Sequence, residues 1–274
     1  AYPLGDVLLL GTLIIIIYYQ SEEVELTATF ILGASAAAMI ITDCIYSYQT
    51  LAGKYVSGTP LDFGWLAAMI PQEFGGSGLG LAEASVIMEE INRCGGNSGA
   101  CHGQMYNMGT LLRHGSDAQK HHYLPKIASG ELRLQSMAVT EPTTGTDTTK
   151  IRTTAVRKGD RYVVNGQKVW ISRVQHSDLM ILLARTTPVD QAAKKSEGMS
   201  IFLVDIRDAV RQGMAVKPIA NMVNHETNEL FFDNLEIPAE NLIGQEGKGF
   251  KYILDGLNAE RTLIAAECIG DGYW

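Results

Sequence analysis

The feature that most constrains this chain is a change of hydrophobic period, made twice. From about 81 to 131, apolar residues recur at intervals of three and four. From 135 to 243 they alternate, or run together in short β-branched and aromatic stretches, and from 244 the longer period returns. The two periods belong to helix and strand, and neither pattern buries its apolar face in the other conformation. The chain therefore reads as a multidomain α+β protein. Residues 1–134 are expected to form an N-terminal α-helical domain. Residues 135–243 are expected to form a middle all-β domain, a barrel or sandwich. Residues 244–274 are expected to be the first helix of a C-terminal helical bundle, left incomplete, so that the chain is part of a longer protein.

Local signals place the elements. In "LAEASVIMEEINRCGG" (81–96), Leu81, Ala84, Met88 and Ile91 share a helix face, and Gly95 stops the helix. Two more helices are expected over 102–115 and 116–131, the second capped by Ser116. Gly75, Gly76, Gly78 and Gly80 look like a phosphate loop, but no strand precedes them, so a connecting turn is expected. "DRYVVNGQKVWIS" (160–172) predicts a hairpin turning at Asn165-Gly166. Further strands are expected over 177–185, 198–206, 213–220 and 228–238. The last helix carries Phe250, Ile253, Leu257 and Ile264 on an apolar face for which the chain offers no evident partner.

Composition excludes some function classes. A net charge of −8, with no run of Lys or Arg, argues against a nucleic-acid binder. Cys44, Cys94, Cys101 and Cys268 have no CxxC spacing, so neither a metal site nor a disulfide framework is expected. The apolar stretches 7–19 and 26–46 resemble membrane segments. The first is too short to span, the second contains Asp43, and no basic residue precedes Lys54. Buried helices are expected there rather than a membrane span or signal peptide.

Two stretches carry chemistry. "TEPTTGTD" (140–147) is rich in hydroxyls, with almost no apolar side chain. It is either a solvated loop or a set of hydrogen-bond donors for a planar, acceptor-rich ligand or a phosphate. "NGQKVWIS" (165–172) places Trp170 and Ser172 at alternate strand positions, hence on one face. A flat ring beside a hydroxyl suits a flavin.

With "GWLAAMIPQEFGGSGLG", "AVTEPTTGTD", "VVNGQKVWIS" and "LNAERTLIAAECIG", the sequence from about 62 to 274 resembles the acyl-CoA dehydrogenases. The resemblance implies a helical, a β and a second helical domain around non-covalent FAD. It implies Met137, Val139 and Thr140 along the flavin ring. It places Gly145 and Thr146 near the pyrophosphate and the acyl-CoA, Trp170 and Ile171 beside the flavin, and Ser172 bonded to flavin N5. Asn258 and Arg261 would lie near the CoA. Thr146 and Ser172 replace the family's usual serine and threonine and keep the hydroxyl. Met137 stands where an aromatic is common.

The family reaction removes a proton α to a thioester and a hydride from the β carbon, so it needs a carboxylate base in a dry pocket. Most members carry that base later in the chain. The isovaleryl-CoA and long-chain types carry it immediately before an arginine on the helix that opens the last domain, and Glu260 in "LNAERT" matches that position. The expected activity is acyl-CoA oxidation to trans-2-enoyl-CoA, with electrons passed to an electron-transfer flavoprotein. The expected setting is a homo-oligomer, tetramer or dimer, in the bacterial cytoplasm or the mitochondrial matrix. An oxygen-using acyl-CoA oxidase, or a non-catalytic scaffold of the same fold, are the alternatives. His102, His114, His121 and His122 are read as structural or solvated.

Overall fold

A computed structural model describes residues 67–222 and 226–273, all within the compact unit Asp62–Trp274. The helices expected over 7–19 and 26–46 lie outside the described residues. Among the described residues no helix is long and apolar enough to cross a membrane.

Three helices come first: α1 (Leu81–Arg93), α2 (Gly99–His114) and α3 (Asp117–Ala128). The glycine stretch before α1 is a connecting turn around the short 3₁₀ segment Gln72–Phe74, as expected. Ser116 caps α3 as predicted: its hydroxyl accepts the Gln119 amide at 3.2 Å, and Gln119 returns a bond to the Ser116 amide at 2.9 Å. Such reciprocal caps stabilise a helix by about 1 kcal/mol.

The β region follows: β1 (Leu134–Ala138), β2 (Thr154–Lys158), β3 (Arg161–Ser172), β4 (Leu179–Arg185) and β5 (Met199–Asp205). After a short helix, α4 (Ile206–Arg211), come β6 (Met214–Pro218), β7 (Thr227–Pro238) and β8 (Leu242–Ile243). One eight-stranded sheet results, in the order β6-β7-β3-β2-β4-β5-β8, with β1 added in parallel to β4. The region is not purely β, because Asp205 ends β5 by accepting the Asp208 amide and starting α4.

Strand alternation sorts the core. Met180, Leu182, Ala184, Phe202 and Val204 point to one face of the sheet, with Tyr162, Val164, Leu230 and Phe232. Leu179, Ile181, Leu183, Met199, Ile201 and Leu203 point to the other, against Met108, Leu111, Leu124, Ile127 and Ile253 of the helices. β4 is buried along both faces, which is why "LMILLAR" reads as a continuous apolar run.

The predicted hairpin turn is misplaced. The chain turns at Gly159–Asp160, between β2 and β3. Asn165-Gly166 lies inside β3, at a register shift against β7, where Asn165 Oδ1 accepts the Asn234 amide at 2.9 Å. Gly166 serves a bulge there, with φ +149° and Thr153 pressed against the space a Cβ would need.

The last helix, α5 (Gly249–Tyr273), does find a partner within the chain. It buries Gly249, Ile253, Gly256, Ala259, Leu263, Ala266 and Gly270, a seam at intervals of three and four. Leu263 and Ala266 pack with Ala84, Met88, Cys101 and Met105 of α1 and α2. The backbones approach closely: a Cβ on Gly270 would lie 2.2 Å from the Glu89 carbonyl. Ile264, expected on the packed face, is exposed with Leu254, Ile269 and Tyr273. The seam was hidden in the sequence because its small residues give no hydrophobic period.

Candidate active site

The site begins where β1 leaves the sheet. Met137 is half-buried and Ala138 fully buried, and the chain then passes Val139 and Thr140 alongside β3. Two bonds hold that passage: Lys168 Nζ donates to the Val139 carbonyl at 2.9 Å, and the Val169 amide to the Thr140 carbonyl at 3.0 Å. Glu141 and Thr144 exchange backbone bonds at 3.1 and 3.0 Å, which folds the loop back tightly. Asp147 accepts from the Thr149 amide and hydroxyl, and Thr144 Oγ1 donates to the Lys150 carbonyl. The loop is thus self-bonded, and Gly145 and Thr146 at its crest are exposed.

Beneath it lies an ion pair that sequence reasoning missed. Glu141 accepts Lys168 Nζ at 2.9 Å, and also the amides of Arg152 at 2.6 Å and Thr153 at 2.9 Å. Both side chains are buried. Burial would raise the Glu141 carboxyl, but Lys168 and these donors outweigh it and hold it below its usual range. Burial pushes the Lys168 ammonium down to about 8, against the pull of Glu141. One side chain therefore ties together the loop, β3 and the segment entering β2. The only hint in sequence was a charged residue in each of two apolar or hydroxyl-rich motifs.

On β3, Trp170 and Ser172 are both exposed, as the alternation required, while the Ile171 side chain enters the sheet core and its carbonyl accepts Asn228 Nδ2 at 3.2 Å. Ile171 therefore presents no side chain to the site. The strand shifts register between Lys168 and Ile171, and Trp170 takes φ +61°. A left-handed conformation costs a bulky residue about 1–2 kcal/mol. Arg173, also at φ +61°, anchors the turn: its Nε donates to Gln135 Oε1 at 3.1 Å and its amide to the Glu226 carbonyl.

These features fit a flavin. The Trp170 indole is 61% exposed, a large flat surface standing clear of the core. On neighbouring β1, Gln135 Nε2 and Ser136 Oγ are buried without a protein hydrogen-bond partner. A Cβ on Gly145 would meet nothing within 4 Å, so the loop crest leaves room for a bulky group.

The second half of the site is on α5. Glu260 is half-buried, whereas Asn258 and Arg261 are exposed and bonded to each other, Arg261 Nη1 to Asn258 Oδ1 at 2.8 Å. Burial raises the Glu260 carboxyl, opposed by His102 and Arg261. His102 of α2 stands 4.0 Å from Glu260 Oε1 through Nε2, and 3.2 Å from Glu267 Oε1 through Nδ1. The next residues of α2 touch β1: Gln104 Oε1 accepts the Leu134 amide at 3.2 Å, and Gly103 lies against the Gln135 carbonyl. One turn of α2 thus faces Glu260 on one flank and the strand leading to Met137 on the other. Among the described residues no group of His, Cys, Asp and Glu has metal-binding geometry.

Comparison with known proteins identifies the domains. Residues 60–131 match the acyl-CoA dehydrogenase N-terminal domain and residues 136–235 its middle domain. Mitochondrial isovaleryl-CoA dehydrogenase of Pongo abelii is 35% identical over 211 residues, covering 76% of this chain and 49% of that protein. Among solved structures, glutaryl-coenzyme A dehydrogenase in its glutaryl-CoA complex aligns with a TM-score of 0.69 at 33% identity, over 76% of this chain and 53% of that one. The prolyl acyl carrier protein oxidase AnaB aligns with a TM-score of 0.68 at 29% identity, over 77% and 55%. The chain spans about half the length of the curated relatives it matches. Two adjoining family domains in order, and a relative 35% identical over 76% of the chain, settle the family: the chain belongs to the acyl-CoA dehydrogenases.

Proposed function

We propose that this chain supplies the flavin-binding and base-bearing part of an enzyme that oxidises an acyl-CoA to a trans-2-enoyl-CoA. Helical residues 1–134, β residues 135–243 and the helix from 244 would be its working divisions. The observation that carries the reading is Glu260, a half-buried carboxylate raised by desolvation, immediately before Arg261 on α5. A base works best when its pKa lies near the operating pH, and burial moves Glu260 in that direction.

Met137, Val139, Thr140 and Ser172 would hold the FAD ring, with Trp170 against it and Gly145 and Thr146 at its phosphates. FAD bound there supplies the acceptor for the substrate hydride. Glu260 takes the α-proton at a carboxylate oxygen, and α5 and α2 keep that oxygen out of bulk water. Asn258 and Arg261 offer an amide and a guanidinium to the CoA portion, and Thr146 adds a hydroxyl. Electrons would pass to an electron-transfer flavoprotein, from a dimer or tetramer in the bacterial cytoplasm or mitochondrial matrix.

Mixing the flavin-loaded protein with a panel of acyl-CoAs without oxygen tests this. Its visible flavin band should bleach, and the effective acyl-CoA names the substrate class. Glu260→Gln should keep the band and slow bleaching at least roughly 10²-fold. Undiminished bleaching in that variant rejects Glu260 as the base. Structural similarity to the AnaB oxidase supports a second reading, in which oxygen is the electron acceptor. Rapid oxygen uptake during turnover would select it.

A further inference from the structure

His102 is the one charged or titratable side chain of α2 that faces Glu260, apart from the buried phenol of Tyr106. From α5 itself, Arg261 and Glu267 face it. The His102 ring is fixed on one side only. Nδ1 meets Glu267 Oε1 at 3.2 Å, and Ser98 Oγ donates to that same oxygen at 2.7 Å. Ser98 is held in turn by Asn92 Nδ2 at 2.9 Å, in a pocket where both residues are buried. The Tyr106 ring packs edge-on against the imidazole at 5.1 Å. The other nitrogen, Nε2, is buried without a hydrogen-bond partner, and it points at Glu260 Oε1 from 4.0 Å. Buried polar atoms are seldom left unpaired, and such an atom beside a reactive carboxylate asks for a role. A bond to one imidazole nitrogen decides what the other can do. With Nδ1 committed to Glu267, Nε2 is aimed at Glu260 alone. Catalytic hydrogen bonds are often long in the ligand-free state and tighten when substrate arrives.

We propose that His102 is a positioning residue for Glu260, with Glu267 and Ser98 holding the imidazole so that Nε2 steers the base carboxylate and offsets its charge. This rests on the reading of Glu260 as the base. It assigns purpose to Ser98, His102 and Glu267, a chain of polar side chains that runs from the buried Ser98 toward Glu260. The electrostatic sense is fixed. A positive imidazole favours the ionised form of Glu260, whereas burial and Glu267 oppose it.

The test follows the Glu260 carboxyl itself, by carbon-detected NMR titration of the flavin-loaded protein labelled at glutamate carboxyls. The Glu260 resonance is identified by its loss in Glu260→Gln. In His102→Ala its midpoint should rise by about one pH unit. In His102→Gln, which keeps side-chain length and a donor but no titratable nitrogen, the midpoint should also rise. The anaerobic bleaching rate at saturating acyl-CoA should fall roughly 10- to 100-fold in His102→Ala, with little change in half-saturating concentration. His102→Gln should recover part of that rate. An unchanged midpoint in a folded, flavin-loaded variant overturns the proposal, whether it is seen in His102→Ala or in His102→Gln. If Glu260→Gln still bleaches normally, the base assignment fails, and the titration alone still decides whether His102 governs the Glu260 carboxyl.

Discussion

Single side chains set the energies of the candidate site. Lys168 and Glu141 are buried and paired, so removing either partner strands a charge. Breaking such a pair costs about 3–5 kcal/mol. Lys168→Met should therefore lower the denaturation midpoint markedly and weaken flavin retention, because the loop from Val139 loses its tether. The Glu141 carboxyl is held low, so its stabilisation is complete above its ordinary value of 4.5 and fades as pH falls through the folded value. Glu260 behaves oppositely. Its carboxyl is raised in the fold, so ionisation opposes folding as pH rises above 4.5. Glu260→Gln should melt higher than the parent at pH 7, with the gain closing below about pH 4, where both chains are neutral at that position. Thermal melts across that range check both signs. Glu260 stands out in "LNAERT" as the candidate base, whereas nothing in the sequence marks His102 as its neighbour. Their meeting comes from the side-by-side packing of α2 and α5, and no spacing along the chain announces which residues of two separated helices will meet.

At the scale of elements, the strands and helices were mostly legible, because β4 and β5 bury both faces and α1 repeats at helical intervals. The failures share a cause: a short motif was read without its neighbours. Asn165-Gly166 signals a two-residue turn, yet β7 pairs with that part of β3 and converts it to a bulge. The turn passed to Gly159–Asp160, where Gly159 supplies φ +65°. The apolar periodicity of 250–270 likewise missed the packing seam, which is built from Gly256, Ala259, Ala266 and Gly270. Gly270→Leu should push α5 away from α1, since the first added carbon already overlaps Glu89. Overpacking of this kind costs about 1–3 kcal/mol. Thermal unfolding should report that loss, and the flavin-loaded variant should also bleach more slowly, because Glu260 rides on the displaced helix.

For the molecule as a whole, the decisive fact is that one apolar cluster draws on both helices and sheet: Met108, Leu111, Leu124 and Ile253 pack with Ile181, Leu183, Ile201 and Leu203. Neither layer keeps its core without the other. Helix content by far-ultraviolet circular dichroism and tertiary packing by near-ultraviolet circular dichroism should therefore be lost at the same denaturant midpoint across Asp62–Trp274. Separated midpoints would mean that the layers fold independently. The seam of α5 carries a further meaning. The residues that clasp the helix, Gly256, Ala259, Leu263, Ala266 and Gly270, are different from those that face outward beside Glu260: Asn258, Arg261, Thr262 and Ala265. Inheritance can rewrite the outward set without loosening the clasp. Substitutions on that outward turn leave the seat of the helix intact, so the Glu260 carboxylate keeps its position while its surroundings change.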